Sequence, residues 1–271
     1  AHRWGFFPSG AFAWNIKHEP FLKDVKEVST LKLRLSAGLT GQQDGIGDYV
    51  HLARYNISNN PSYTYNMGTG FVNPMTPQAY DPTIRWETTM TWNAGIDFGF
   101  FDDRLSGSID AYLRDTRDLL NSVQVPMGSN FGNRLMTNIG SIRNKGLEFS
   151  ISGVPVQTGD WSVQVGFNGT FQNTKFTKLN PTDDRNYYIE TGNISKGTGG
   201  FLCRQMTGYA PYTYYLYKQK YDADGRPMQN EFVDLTGDGQ ITEADRYMTG
   251  KSVSPKFYYG LNLKVSYRNW D

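Results

Sequence analysis

The sequence contains no run approaching the roughly 18 apolar residues that a membrane-spanning helix requires. Only 38% of its residues are hydrophobic and its mean hydropathy is negative, so a helical membrane protein is excluded. Strands that alternate apolar and polar residues escape that test, because half of their residues never meet lipid. Cys203 is the only cysteine. There is therefore no disulfide framework and no thiolate metal cluster, and Cys203 reads as a small filler residue. Lys and Arg total 27 against 26 Asp and Glu, with no basic block, so nothing points to nucleic acid. His2, His18 and His51 share no ligand spacing, and no Ser/His/Asp set stands out, so no enzyme is expected. Gly197 to Gly200 lacks both the strand-then-helix context and the Lys of a phosphate loop. The chain carries no initiator Met and no signal peptide, which reads as a mature chain or a piece of a longer one.

What is present is aromatic residues at 15%, 29 glycines and a two-residue period. From Trp86 onward, Thr88, Met90, Trp92, Ala94, Ile96, Phe98 and Phe100 fall on one face, with Glu87, Asn93, Gly95 and Asp97 among those opposite. A polar turn at Asp102-Asp103 follows. The alternation then resumes through Leu105, Gly107, Ile109, Ala111 and Leu113 to Asp115. This predicts a long hairpin with an oily side and a small or polar side. Strands of soluble domains run about 5–6 residues, whereas a tilted strand crossing hydrocarbon needs about 9–11.

The same period recurs along the chain. Arg3 to Ile16 reads as a strand blurred by Pro8, and Phe21 to Val28 as one or two helical turns. Leu31 to Gly41, Thr137 to Val154, Trp161 to Gln172 and Lys256 to Arg268 read as strands. Gln42 to Arg85 reads as a long loop with a short strand at Tyr49 to Ile57, Thr116 to Met136 as another loop, and Thr177 to Pro255 as the longest connection.

The short turns, Phe101 to Arg104 and Pro155 to Asp160, lie at one end of the strands and the long loops at the other. Outer-membrane barrels have this asymmetry, with short periplasmic turns and long extracellular loops. Phe98, Phe100, Phe101, Trp161, Tyr267 and Trp270 map to the short-turn end, as an interfacial aromatic girdle would. The competing reading places those aromatics in the core of a soluble sandwich. The expected fold is all-β: an antiparallel transmembrane barrel segment, incomplete, spanning 1–271. Glu87, Asp97, Asp110, Arg114, Glu148 and Gln164 then face the interior.

One stretch carries metal chemistry. Calcium loops place oxygen donors at positions 1, 3, 5, 7 and 12 with Gly at 6. Within the 177–255 connection those positions are Asp234, Thr236, Asp238, the Gln240 carbonyl and Asp245, with Gly239 at the turn and Ile241 anchoring the loop. Thr at position 3 and Asp at position 12 depart from the usual residues. The expectation is a structural Ca2+ clamp on an external loop, set against an Asp/Gly-rich turn that binds nothing. Tyr221 to Gly225 lacks the spacing and reads as a hairpin turn. Tyr212, Tyr214, Tyr215, Tyr217 and Tyr221 read as aromatic packing within the loop, with stacking on sugar rings as the alternative. Asn56, Asn168 and Asn193 head glycosylation sequons, which a bacterial source would make irrelevant.

Several motifs occur in order: Arg3-Trp4-Gly5-Phe6-Phe7-Pro8-Ser9, Leu31 to Ser36 ending in Thr40-Gly41, and Trp86-Glu87 with Asn93 and Asp97-Phe98. Asp118-Leu119-Leu120, Asn138-Ile139-Gly140 and Asn144-Lys145-Gly146-Leu147-Glu148 follow. Together they resemble the SusC/RagA branch of TonB-dependent outer-membrane transporters. The resemblance implies a barrel of roughly 22 strands with a plugged lumen. It implies residence in the bacterial outer membrane and energised uptake of glycans or peptides. The implied partners are a SusD-like surface lipoprotein, the TonB energy-coupling complex through parts not recognised in this sequence, and outer-membrane lipid.

No plug and no energy-coupling box are recognisable, and about seven long strands leave two open edges. Unpaired backbone groups in lipid cost several kcal/mol each, on the order of tens in sum. The expectation is a carboxy-proximal portion of such a barrel. The alternative is a secreted, calcium-stabilised β-rich binding or adhesion module.

Overall fold

The computed structural model describes residues 4–57, 64–73, 75–126, 134–180, 182, 184–194 and 200–270. The chain opens with β1 (Ser9–Asn15) and β2 (Val28–Gln42). The next connection holds four short pieces, β3 (Tyr55–Ile57), β4 (Tyr65–Asn66), β5 (Phe71–Val72) and β6 (Met75–Pro77). A meander follows, made of β7 (Glu87–Phe100), β8 (Leu105–Gln124), β9 (Arg134–Gln157) and β10 (Trp161–Lys178). The longest connection contains β11 (Tyr188–Asn193), β12 (Phe201–Met206), β13 (Thr213–Tyr217), β14 (Gln219–Tyr221), β15 (Pro227–Phe232) and β16 (Arg246–Ser252). The strand β17 (Phe257–Tyr267) then returns to the meander.

Seven strands form one sheet in the order β1-β2-β7-β8-β9-β10-β17, antiparallel throughout. The sheet does not close on itself, and β1 and β17 are its edges. Within it, β8 runs for 20 residues and β9 for 24. At roughly 3.3 Å per residue, β9 extends about 80 Å along its own axis. The upper parts of these strands therefore stand clear of an apolar band about 25 Å tall.

Pairing carries each oily residue onto its neighbour. One register row reads Trp14, Leu33, Ile96, Ile109, Phe149, Gly169 and Tyr259 across all seven strands. The matching row on the other face reads Arg34, Gly95, Asp110, Glu148 and Thr170. The oily rows do not meet inside a body: Trp92 is 54% exposed, Ile109 47% and Leu147 41%. Among the described residues the buried apolar set is Ile84, Tyr112, Val123, Phe176, Leu179 and Cys203, none of it on those rows. The chain exposes 19035 Å², whereas a compact 30.7 kDa chain would expose about 12,000 Å². This excludes the two-layered sandwich, because its core would have to be the very side chains that are exposed here.

At the short-turn end, Phe98 packs on Phe100 and Phe100 on Phe101. Trp161 lies 4.4 Å from Tyr267 between ring centroids. The turn between β7 and β8 is built from three consecutive left-handed residues, Phe101, Asp102 and Asp103, with φ of 58°, 54° and 60°. Aspartate tolerates that region better than most residues. The Asp103 N–H donates to Ser29 Oγ at 3.0 Å, tying the turn to the neighbouring strand.

Several expected boundaries differ. Thr116 to Met136 is strand as far as Gln124 and strand again from Arg134, not a loop; residues 127–133 lie outside the described ones. The register shifts between Thr116 and Leu119, where Asp118 turns left-handed at φ 59°. That bulge interrupts the two-residue period and hides the strand beyond it. Phe21 to Glu27 forms turns, with the Leu22 and Lys23 N–H groups donating to Glu19 O and the Val25 N–H to Leu22 O, and Val28 already opens β2. The regular helical piece is the 3-10 turn Ile16–His18. Within Tyr49 to Ile57 only Tyr55–Ile57 is strand, and the first strand begins after Pro8, at Ser9.

A charge placed mid-height on the oily face separates the two faces energetically. In the full receptor, Ile109→Arg is expected to cost about 2–4 kcal/mol in denaturant unfolding from bilayers. Ser108→Arg, one residue away and inward, is expected to stay within about 0.5 kcal/mol. Equal costs would reject the assignment of faces.

Candidate functional site

Three features define the working parts of this segment: an inward charge cluster, a junction at the upper strand ends and the long external loop. The inward cluster is centred on Arg34 of β2. Its Nε donates to Asp97 Oδ2 at 2.9 Å, and its Nη2 donates to Asp97 Oδ1 at 2.8 Å and to Asp110 Oδ2 at 2.9 Å. Asp97 lies on β7 and Asp110 on β8, so one guanidinium spans three strands. Gly95 makes this possible: a Cβ there would collide with the Asp110 carboxylate and come 2.9 Å from Arg34 Nη2.

The other inward positions serve structure or line the interior. Arg114 lies over the Tyr112 ring at 4.7 Å. Tyr112 in turn covers Gly146, where a Cβ would lie 2.5 Å from its hydroxyl oxygen. Gln164 donates to Ser152 at 3.0 Å, and Glu148 sits opposite Asp110 and Thr170. Alternation puts Asp97, Asp110 and Arg34 on the polar side of their strands but does not show that Arg34 bridges the two carboxylates. The missing signal was pairing register, which sequence spacing does not contain.

At the upper ends the scattered motifs converge. Phe7 stacks on Trp86 at 5.5 Å and lies against Gly41, where a Cβ would clash with its ring. Glu87 Oε1 accepts the Leu120 N–H at 2.8 Å. Asn138 Nδ2 donates to the carbonyls of Arg85 and Asp118 at 2.8 and 2.7 Å, while its Oδ1 accepts the Arg85 N–H at 2.8 Å. Arg85 closes the circuit on Asp118 at 2.7 Å. Gly140 gives Leu119 room, since a Cβ there would lie 2.9 Å from the Leu119 Cβ. These motifs are a joint that anchors the long loops to the strands.

The 177–255 connection folds into a four-stranded sheet, β11-β12-β13-β16, with β14-β15 as a separate hairpin. Arg204 is stacked between Tyr188 and Tyr215, 3.8 and 3.6 Å from the ring centroids. Tyr217 packs on Phe232, while Tyr212 and Tyr221 are exposed. Cys203 is buried, and burial pushes its thiol pKa up. Asp222 to Gly225 forms a tight turn, with Gly225 at φ 76°. Residues 195–199 and His2 lie outside the described residues.

Within this connection Asp234 to Asp245 closes around one carboxylate. Asp245 is fully buried. Its Oδ1 accepts the Leu235 and Thr236 N–H groups at 2.8 and 3.0 Å and the Thr236 hydroxyl at 3.1 Å, and its Oδ2 accepts the Thr242 N–H at 2.8 Å. Thr242 caps the 3-10 turn Glu243–Asp245 in return. Asp234 accepts the Gly237 and Gly239 N–H groups at 2.6 and 2.8 Å, with Gly237 and Gly239 left-handed at φ 75° and 81°. Thr236 Oγ1 is 3.1 Å from both Asp234 and Asp245, so these three are brought together. Asp238 accepts only the Gln240 N–H within the loop, at 2.8 Å, and both stand on the outer limb. Among the described residues no group of three or more His, Cys, Asp or Glu converges as metal ligands would.

These bonds hold the Asp245 carboxyl down at about 2 against an ordinary 3.8, the Thr242 N–H contributing most and the Thr236 N–H next. Asp234 is also lowered, chiefly by the Gly239 N–H.

Long antiparallel strands with oily outward rows, a charged inward face and long loops at one end define the wall of an outer-membrane β-barrel. The family "TonB dependent receptor-like, beta-barrel" matches residues 1–271, and the chain belongs to it. The chain is 44% identical over 271 residues to TonB-dependent receptor SusC of Bacteroides thetaiotaomicron, covering 100% of this chain and 27% of SusC. It is 34% identical over 290 residues to TonB-dependent receptor P3 of Formosa agariphila, again covering 100% and 27%. Among solved structures, the RagAB peptide transporter superimposes with a TM-score of 0.74 at 26% identity, over 97% of this chain and 28% of that one. The chain thus spans about a quarter of the length of these relatives. Its long strands cross the bacterial outer membrane.

The pH dependence of the external loop follows from the sign of the Asp245 shift. A depressed carboxylate stabilises the loop fully above the unfolded value near 3.8 and loses that contribution as pH falls through about 2. In hydrogen exchange, Asp245→Asn is expected to speed the Leu235, Thr236 and Thr242 amides at least about tenfold, because an amide presents a donor where an acceptor is needed. Wild type at pH 2 should show the same loosening and at pH 6 should not; unchanged amides in the variant would remove the carboxylate from its central role.

Proposed function

We propose that this chain is a portion of the barrel wall of an outer-membrane importer that takes up oligomeric nutrients, glycans or peptides, with energy delivered through TonB. In this reading a SusD-like surface lipoprotein caps the extracellular side, and the inward row around Arg34, Asp97 and Asp110 lines the path. One observation carries it: at mid-height of the strands the outward rows are oily and the inward row is charged, over a chain whose whole length matches the TonB-dependent receptor barrel. The peptide class is supported by the likeness to the RagAB peptide transporter, and the glycan class by the likeness of the motifs to the SusC branch.

Deletion of the full receptor tests this reading. Growth of the deletion strain on pooled oligosaccharides or on pooled oligopeptides should fall while growth on the free monomers is unchanged. Unimpaired growth on both pools would reject import, and impaired growth on monomers would place the defect elsewhere.

The same proposal includes Ca2+ as a structural clamp on Asp234, Thr236, Asp238, the Gln240 carbonyl and Asp245. What supports it is the donor spacing and the shared reach of Asp234 and Asp245 to Thr236. Two like charges that close would gain from a cation between them. Calorimetric titration of the full receptor with CaCl2 should give saturable heat, lost in Asp234→Ala. No heat and no change in thermal midpoint would reject the clamp.

A further inference from the structure

The outward face has a boundary that runs obliquely across the strands. The row formed by Ala37, Trp92 and Leu113 continues onto Lys145 and Asn173. The next row toward the loops starts at Leu39 and Met90 and continues onto Asp115, Arg143 and Lys175. The same rows are oily on β2 and β7 and polar or cationic on β9 and β10, as expected where tilted strands rise through a flat membrane surface.

Two depressions meet on this line. The lower is apolar, about 1140 Å³, with a floor of small residues that includes Ala37, Ala94 and Ala111 and walls that include Phe12, Trp92, Leu147 and Phe171. It exceeds the roughly 300–1,000 Å³ of ordinary small-molecule sites. The upper is about 490 Å³ and is lined by Arg143, Lys145, Lys175 and Arg185 with Asn173 and Thr177. Lys145 and Asn173 border both, and Lys256 stands at the rim of the lower one. The only carboxylate that pairs with this cluster among the described residues is Asp115, which accepts from Arg143 Nε and Nη2 at 2.6 and 3.1 Å.

Neither half is explained by solute import, because both lie on the outward register, on the side away from the Arg34 cluster. A groove of alkyl and aromatic walls accommodates acyl chains. Lys145, Lys175 and Arg185, which have no carboxylate partner among the described residues, complement phosphate, which takes charge-assisted hydrogen bonds from Lys and Arg. Clustered basic residues at a membrane surface attract anionic lipid.

We propose that these depressions together bind one phosphate-bearing lipid of the outer leaflet. Its acyl chains lie over Ala94 and Ala111, and its phosphate sits among Arg143, Lys145, Lys175 and Arg185. The headgroup thereby fastens the loop bearing Arg185 to β9 and β10 at the membrane surface. The inference rests on the outward rows facing lipid, as in the proposed function.

The test uses the full receptor in detergent, with retained lipid counted by native mass spectrometry. The probes are phosphatidic acid, phosphatidylcholine and inorganic phosphate. Wild type should retain phosphatidic acid in preference to phosphatidylcholine. The triple variant Lys145→Gln, Lys175→Gln, Arg185→Gln should lower retention roughly a hundredfold, the order expected for losing three surface cations. Ala94→Phe with Ala111→Phe fills the floor from the outside and should lower lipid retention while leaving phosphate binding unchanged.

Retention unaltered in both variants would overturn the proposal, and so would inorganic phosphate competing as well as the lipid. Quenching of a fluorophore at Ala111 by brominated acyl chains checks the supporting reading separately. Quenching with unaltered retention would sink the lipid site alone; no quenching would sink the membrane orientation with it.

Discussion

Hydrocarbon offers no hydrogen-bond partner to a peptide N–H or C=O, so a chain that crosses it must satisfy its backbone from within. Everything else in this segment follows from that constraint. The backbone runs as long antiparallel ladders between neighbouring strands, with register shifts between Val163 and Val165, between Phe176 and Lys178, and from Thr116 to Leu120. At the shift around Asp118 side chains supply the missing partners: Asn138 Nδ2 donates to the Asp118 carbonyl, and Glu87 accepts the Leu120 N–H.

Satisfying the backbone this way frees the side chains to divide the labour. Outward residues need only be apolar, so their packing is loose and their exposure high. Inward residues face water, and there a single guanidinium can bridge two carboxylates from different strands at modest cost, because it stays partly solvated. The external connection has neither lipid nor a large core to organise it. It relies instead on a buried carboxylate as a hub for four donors and on an arginine stacked between two tyrosines. Its attachment is local too, with the Phe176 N–H and C=O of β10 bonding to Tyr209 and Gly208.

The membrane-crossing strands were legible because their environment repeats every two residues, and a local period needs no knowledge of partners. The strand beyond Thr116 was not, since the bulge at Asp118 breaks the period and shifts the register of the residues after it. The short stretch Phe21 to Val28 misled in the opposite way: its apolar spacing fits a helix, but Pro20 and the tie of the Lys17 ammonium to the carbonyls of Leu22, Lys23 and Val25 hold it as turns. The Asp/Gly spacing from Asp234 named donor positions without the closure of the loop. It could not tell that Asp245 would accept the Leu235, Thr236 and Thr242 N–H groups, because those bonds depend on how the loop closes.

The sequence by itself determined which residues alternate, where the tight turns fall and which face of each strand is oily, for these are set by neighbours one and two positions away. Only the tertiary structure decided which strand lies beside which and in what register. From that came the bridge of Arg34 to Asp97 and Asp110, the joint that gathers Phe7, Gly41, Trp86, Asp118 and Asn138, and the oblique line along which oily rows turn polar or cationic. Each joins residues tens of positions apart, and a register error of one residue would turn every one of those side chains to the opposite face.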